Sequence, residues 1–120
     1  MTDETPILDR SVVDELRDSV GGDEDFIADL VSTFVSEGRS HFAAMQAAAD
    51  ASDAAAIVRP AHTLKSSSAA LGAMRLSAIA REIETAGRDG TTTGLDVRVT
   101  EARQVWEDTL KEMAGVGLIK

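Results

Sequence analysis

Apolar residues in this chain recur every three or four positions along most of its length, and nowhere do they alternate in the two-residue rhythm of a half-buried strand. That periodicity leaves helix packed on helix as the way to bury a core. Five segments carry it. The first spans about residues 9–20, with Val12, Val13, Leu16 and Val20 on one side, Asp9 as N-cap and Gly21-Gly22 as the stop. The second starts at Asp23, where Glu24 and Asp25 place negative charge in the positive first turn. It runs to about Ala49 with a stripe of Phe26, Leu30, Val31, Phe34, Phe42, Met45 and Ala49. The third covers about 53–71, with Ile57, Ala61, Leu64, Ser68 and Leu71 on one face. Pro60 lies inside it and predicts either a kink or the true helix start, because proline lacks the N–H and crowds the preceding turn. The fourth covers about 73–87, with Leu76, Ile79, Ala80 and Ile83 inward. After a loop around Asp89 to Gly94, the fifth runs over about 95–114 on Leu95, Val99, Ala102, Trp106, Leu110 and Met113.

The expected fold is therefore all-α: four long helices in an antiparallel, up-down-up-down bundle, with the additional short N-terminal helix capping one end. A length of 120 residues fits a single domain over residues 1–120. Residues 1–8 read as an acidic leader and residues 115–120 as a fraying tail. With 43% hydrophobic residues the chain has material for a core, and with 3% aromatic residues that core is mainly aliphatic. There is no cysteine, which excludes disulfides, thiolate metal sites and a cysteine nucleophile. No apolar run is long enough to span a membrane, and the first residues lack the basic-then-apolar order of a signal peptide. A cytoplasmic, monomeric protein is expected.

The net charge of −9 argues against nucleic acid and anionic membranes as partners, since both demand a basic footprint. Yet from Ala54 through Arg81 there is no acidic residue, and this window holds Arg59, Lys65, Arg75 and Arg81 around His62. The turn between the third and fourth helices centres near Gly72. His62 lies about ten residues before it and Glu84 about as far after, so both sit about 15 Å from the turn on neighbouring helices. Each flanks a core position, so the two can meet if those edges face one another. A carboxylate accepting the Nδ1–H would fix the tautomer and leave Nε2 as a free nucleophile. Lys65, one turn on, can reach a phosphoryl group on that nitrogen. Ser66 and Ala69 form a ridge of small residues that lets another protein approach. Spacing alone leaves other readings open: His62 as a solvated residue flanking the core, Lys65 as an ordinary surface lysine, and Ser66 to Ser68 as small packing residues. His41, about level with His62 on the second helix, is either an edge residue or a neighbour of this site. Two histidines without grouped carboxylates give no metal site.

The segment Ala61-His62-Thr63-Leu64-Lys65-Ser66-Ser67-Ser68-Ala69-Ala70-Leu71-Gly72-Ala73 closely resembles the signature of histidine-containing phosphotransfer (HPt) domains, Ala-His-x-Leu-Lys-Gly-Ser followed by small residues and Gly-Ala. Gly21-Gly22-Asp23 with Phe26 and Leu30 resembles the start of the family's second helix, and the stretch 76–84 resembles the helix after the motif. The resemblance implies that His62 accepts the phosphoryl group, that Lys65 stabilises it and that Glu84 orients the imidazole. Arg59 of the basic segment, with Ser66 and Ala69 of the small-residue ridge, is expected to bind the partner, and Gly72 is structural. The resemblance also implies a phosphocarrier between receiver domains, of a hybrid histidine kinase and of response regulators, with Mg²⁺ supplied by the receiver and no cofactor of its own. Autophosphorylation from ATP is not expected, because no Gly-rich nucleotide loop is present. Two positions depart from the family pattern: Ser66 stands where glycine is usual, and Pro60 precedes the histidine by two residues. From another class, the alternative is a helical interaction module that binds partners without phosphotransfer.

Overall fold

The computed structural model describes residues 5–119, so Met1 to Glu4 of the leader and Lys120 of the tail lie outside the described residues. The described chain forms five helices: α1 (Arg10–Ser19), α2 (Glu24–Asp50), α3 (Ala54–Ala70), α4 (Met74–Arg88) and α5 (Leu95–Gly115). The boundaries follow local chemistry. Asp9, Asp23 and Asp53 each accept a backbone N–H of the first turn, from Ser11 (3.0 Å), Phe26 (3.1 Å) and Ala56 (3.1 Å). Such caps satisfy amides that the helix itself leaves without partners. At the other ends, α3 closes with Ala73 N–H donating to Ser68 O (2.8 Å) and α2 with Asp53 N–H donating to Ala48 O (2.9 Å). These closures need a left-handed residue, supplied by Gly72 (φ 81°) after α3 and by Ser52 (φ 51°) after α2.

The four long helices enclose the core. α2 packs on α3 and α5, and α4 packs on α3 and α5. Every residue of the expected α3 face, Ile57, Ala61, Leu64, Ser68 and Leu71, is buried. The same holds for Leu95, Val99, Ala102, Trp106 and Met113 of α5, where Thr109 is also fully buried and donates its Oγ1 hydrogen to Val105 O (2.7 Å). Burying each large aliphatic side chain contributes roughly 1.5–3 kcal/mol. Two pairs of helices approach unusually closely, each through a glycine. Gly38 of α2 lies flat against the Trp106 ring of α5, and Gly87 of α4 sits where a Cβ would come within 2.8 Å of Ala54 O on α3. No helix among the described residues is long and apolar enough to cross a membrane.

The structure closes one alternative left open for Pro60, corrects two expectations and places the described part of the leader. α3 begins at Ala54 and continues through Pro60, which is buried, so Pro60 does not mark the helix start. The α2 stripe includes Ile27, while its neighbour Phe26 is 51% exposed. The tail does not fray: Leu118 is buried, Ile119 packs on the core, and Leu118 N–H donates to Met113 O (2.8 Å). The described part of the leader is anchored too, with Leu8 buried and Arg75 N–H donating to Pro6 O (3.0 Å). α1 lies over the α3–α4 turn, where Asp9 N–H donates to Gly72 O (2.7 Å), and reaches the end of α5 through Arg17 Nη2 donating to Val116 O (3.0 Å).

Candidate functional site

α3 and α4 are joined by only three residues, Leu71 to Ala73, and pack closely along their lengths. Ser77 Oγ donates to Lys65 O (2.9 Å), a bond from α4 that fixes the α3 backbone next to His62. The buried faces of both helices are apolar, so their polar edge residues meet at the margin of the contact. There His62 Nδ1 lies 2.9 Å from Glu84 Oε2, and Lys65 Nζ donates to Glu84 Oε1 (2.7 Å). Arg88, one turn beyond Glu84, donates from Nε (3.0 Å) and Nη2 (2.7 Å) to the same Oε2.

Glu84 is the hub. Its side chain is 7% exposed, while that of His62 is 52% exposed. Hydrogen bonds from Lys65 and Arg88, opposed in part by burial and aided by His62, hold the Glu84 carboxyl down at about 2 from an ordinary 4.5. It is therefore ionised at neutral pH and can only accept hydrogen bonds. The contact with His62 then assigns the Nδ1 proton: Nδ1 carries the hydrogen and donates it, so that in the neutral ring the lone pair is on Nε2. The arrangement presents one bare imidazole nitrogen at an exposed helix edge, with cationic groups beside it.

A carboxyl held below its ordinary range stabilises the fold above that range and loses the contribution as pH falls through the folded value. For Glu84 the window is pH 4.5 down to about 2. Glu84→Gln is expected to be less stable than the parent at pH 7, with the difference closing as pH drops toward 2. Urea unfolding at a series of pH values checks this; a difference that stays constant with pH would show that Glu84 is not the titrating group.

Of the residues singled out from sequence, His62, Lys65 and Glu84 are brought together, with Lys65 bonded to Glu84. Arg59 and Ser66 are exposed and Ala69 is half-buried, spaced from His62 so as to share its side of α3. Gly72 lies at the far turn, where an added Cβ would come within 2.8 Å of Asp9 O. His41 is half-buried, its Nε2 is buried without a hydrogen-bond partner, and no bond links it to the Glu84 cluster. Arg88 was missed. Its signal was available, since an acidic residue four positions before an arginine on a helix is a standard pairing.

The Hpt domain family model matches residues 29–115. The structure is similar to the crystal structure of histidine-containing phosphotransfer protein B (HptB) from Pseudomonas aeruginosa PAO1, with a TM-score of 0.80 and 26% sequence identity over 88% of this chain and 90% of that one. No curated protein sequence matches the chain. The family match spans α3, α4 and the whole Glu84 cluster between them, and the chain belongs to the Hpt domain family, the phosphotransfer intermediates of two-component signalling.

Proposed function

We propose that His62 Nε2 takes a phosphoryl group from the aspartyl phosphate of one receiver domain and hands it to the aspartate of a second. In each step a bond from phosphorus to the donor atom breaks as a bond to the acceptor atom forms. The observation that carries this is the exposed imidazole whose Nδ1 is tied to an ionised carboxylate. Both linkages are high in energy, so transfer runs in either direction. Glu84 holds the ring and its tautomer, and the two cations gathered on it, Lys65 and Arg88, offset the added negative charge. The receiver supplies Mg²⁺, and the chain acts as a monomeric phosphocarrier in the cytoplasm rather than as an ATP-dependent kinase.

The single domain is read as an up-down-up-down bundle. Contacts between α3 and α4 support antiparallel pairing, because they join residues about equally far from Gly72: Ser77 with Lys65, Glu84 with His62, and Gly87 with Ala54 and Ile57. The receiver docks on the face of Arg59, His62, Ser66 and Ala69, where small side chains leave room and Arg59 meets an acidic pocket.

The test is incubation with phosphorylated receiver domains, followed by analysis of the bundle for acid-labile, base-stable label. Label on the chain is the expected result; none with any receiver supports an interaction module instead. Ser66→Phe places a bulky ring on the docking face at an exposed position. It is expected to lower transfer about tenfold or more, equivalent to about 1.4 kcal/mol of docking free energy, with the helical signal unchanged. Normal transfer in that variant would place the docking face elsewhere.

A further inference from the structure

Two cations meet one carboxylate at this site, and Glu84 does not need both. Its Oε1 accepts from Lys65 (2.7 Å), whereas its Oε2 accepts from His62 Nδ1 (2.9 Å) and twice from Arg88 (3.0 and 2.7 Å). The carboxylate is largely buried, so an oxygen stripped of its donors loses bonds that water replaces only in part. Removing Lys65 would empty Oε1. Removing Arg88 would leave each oxygen still bonded and one full ion pair in place. Exposure points the same way: the Arg88 side chain is 59% exposed and that of Lys65 26%, so Arg88 moves with less loss of packing.

The charges agree. One carboxylate faces two cations, so the cluster has one positive charge to spare. A phosphoryl group on His62 would bring up to two negative charges to its edge. The guanidinium and the imidazole already share Oε2, so the distance to cover is short. A planar guanidinium presents paired N–H donors that match phosphoryl oxygens, whereas an ammonium offers a point charge.

We propose that Arg88 is the phosphoryl-contacting cation of this domain: once His62 is phosphorylated on Nε2, the Arg88 guanidinium leaves Glu84 and bonds the phosphoryl oxygens, while Lys65 stays on Glu84 as a positioning residue. The exchange rests on His62 being the acceptor. Arg88 is thus a catalytic residue that the phosphotransfer motif on α3 does not contain.

The experiment uses the ¹⁵N-labelled full chain, phosphorylated chemically with phosphoramidate so that no receiver is needed. The Arg88 Nε–H resonance, assigned by its loss in Arg88→Ala, is expected to shift when His62 is phosphorylated, in the parent and in Lys65→Ala. In a ³¹P titration, Arg88→Ala is expected to raise the second pKa of the phosphohistidine by about one unit, because a neighbouring cation favours the dianion. Arg88→Lys should restore part of that shift, and Lys65→Ala should move it less than Arg88→Ala does. An Arg88 resonance that stays put, with the larger ³¹P shift in Lys65→Ala, would overturn the exchange and give the contact to Lys65. Failure to phosphorylate His62 at all is a separate outcome, which defeats the acceptor reading and the exchange with it.

Discussion

His62→Gln is expected to reduce phosphotransfer to background while leaving the helices folded. The side chain is 52% exposed, so its replacement empties no cavity. Glu84 keeps its bonds from Lys65 and Arg88, so no buried charge is stranded. The stability change should fall within about 0.5 kcal/mol, as for most surface substitutions. Glutamine offers an amide in place of a basic ring nitrogen, and an amide nitrogen has no lone pair available to attack phosphorus. Label from a phosphorylated receiver should therefore vanish with unchanged circular dichroism. A domain that only binds partners would lose nothing, so retained labelling in this variant would end the assignment.

Trp106→Ala is expected to have the largest effect on stability. Trp106 sits between Phe34 and Phe42, with ring centroids 5.3 and 5.5 Å away, and its ring covers Gly38. Truncating a buried tryptophan costs about 3–5 kcal/mol, a large part of the roughly 5–15 kcal/mol that holds a small domain together. The glycine makes the prediction sharper. Alanine is ordinarily better than glycine inside a helix by about 1 kcal/mol. At position 38, however, a Cβ would lie 2.6 Å from Trp106 Cζ3, so Gly38→Ala should instead destabilise the parent by about 1–3 kcal/mol. In the Trp106→Ala background that clash is gone, and Gly38→Ala should become stabilising. Urea unfolding of the four proteins in the cycle checks the reversal of sign. The same sign in both backgrounds would mean that α2 and α5 do not meet through this pair.

What the sequence disclosed depended on how local the cause was. The α3 face was legible residue by residue, because Ile57, Ala61, Leu64, Ser68 and Leu71 follow helical spacing with no rival pattern. The first residue of the α2 apolar stripe was misread by one position. Phe26 is the more hydrophobic-looking residue, but Ile27 continues the spacing set by Val31 and Phe34. Gly38 carried no signal, since its role exists only opposite a ring 68 positions further along the chain, supplied by Trp106. The packing of Leu118 was likewise hidden, because it depends on where the last turn of α5 ends. At the site, counting residues from the Gly72 turn was enough to pair His62 with Glu84. It could not show that Lys65 bonds Glu84, because that contact depends on which way a flexible side chain leans across the α3–α4 seam, whereas the four-residue spacing that places Arg88 on Glu84 within α4 was there to be read.

Phosphotransfer at this site depends on Glu84 holding the proton on Nδ1 and leaving Nε2 bare. The direct measurement is ¹⁵N NMR of the His62 ring, free at neutral pH and after phosphotransfer from a receiver. The expected spectra place the proton of the neutral ring on Nδ1 before transfer and show a phosphorus coupled to Nε2 after it. A free ring protonated at Nε2, or a phosphoryl group bonded to Nδ1, would contradict the account.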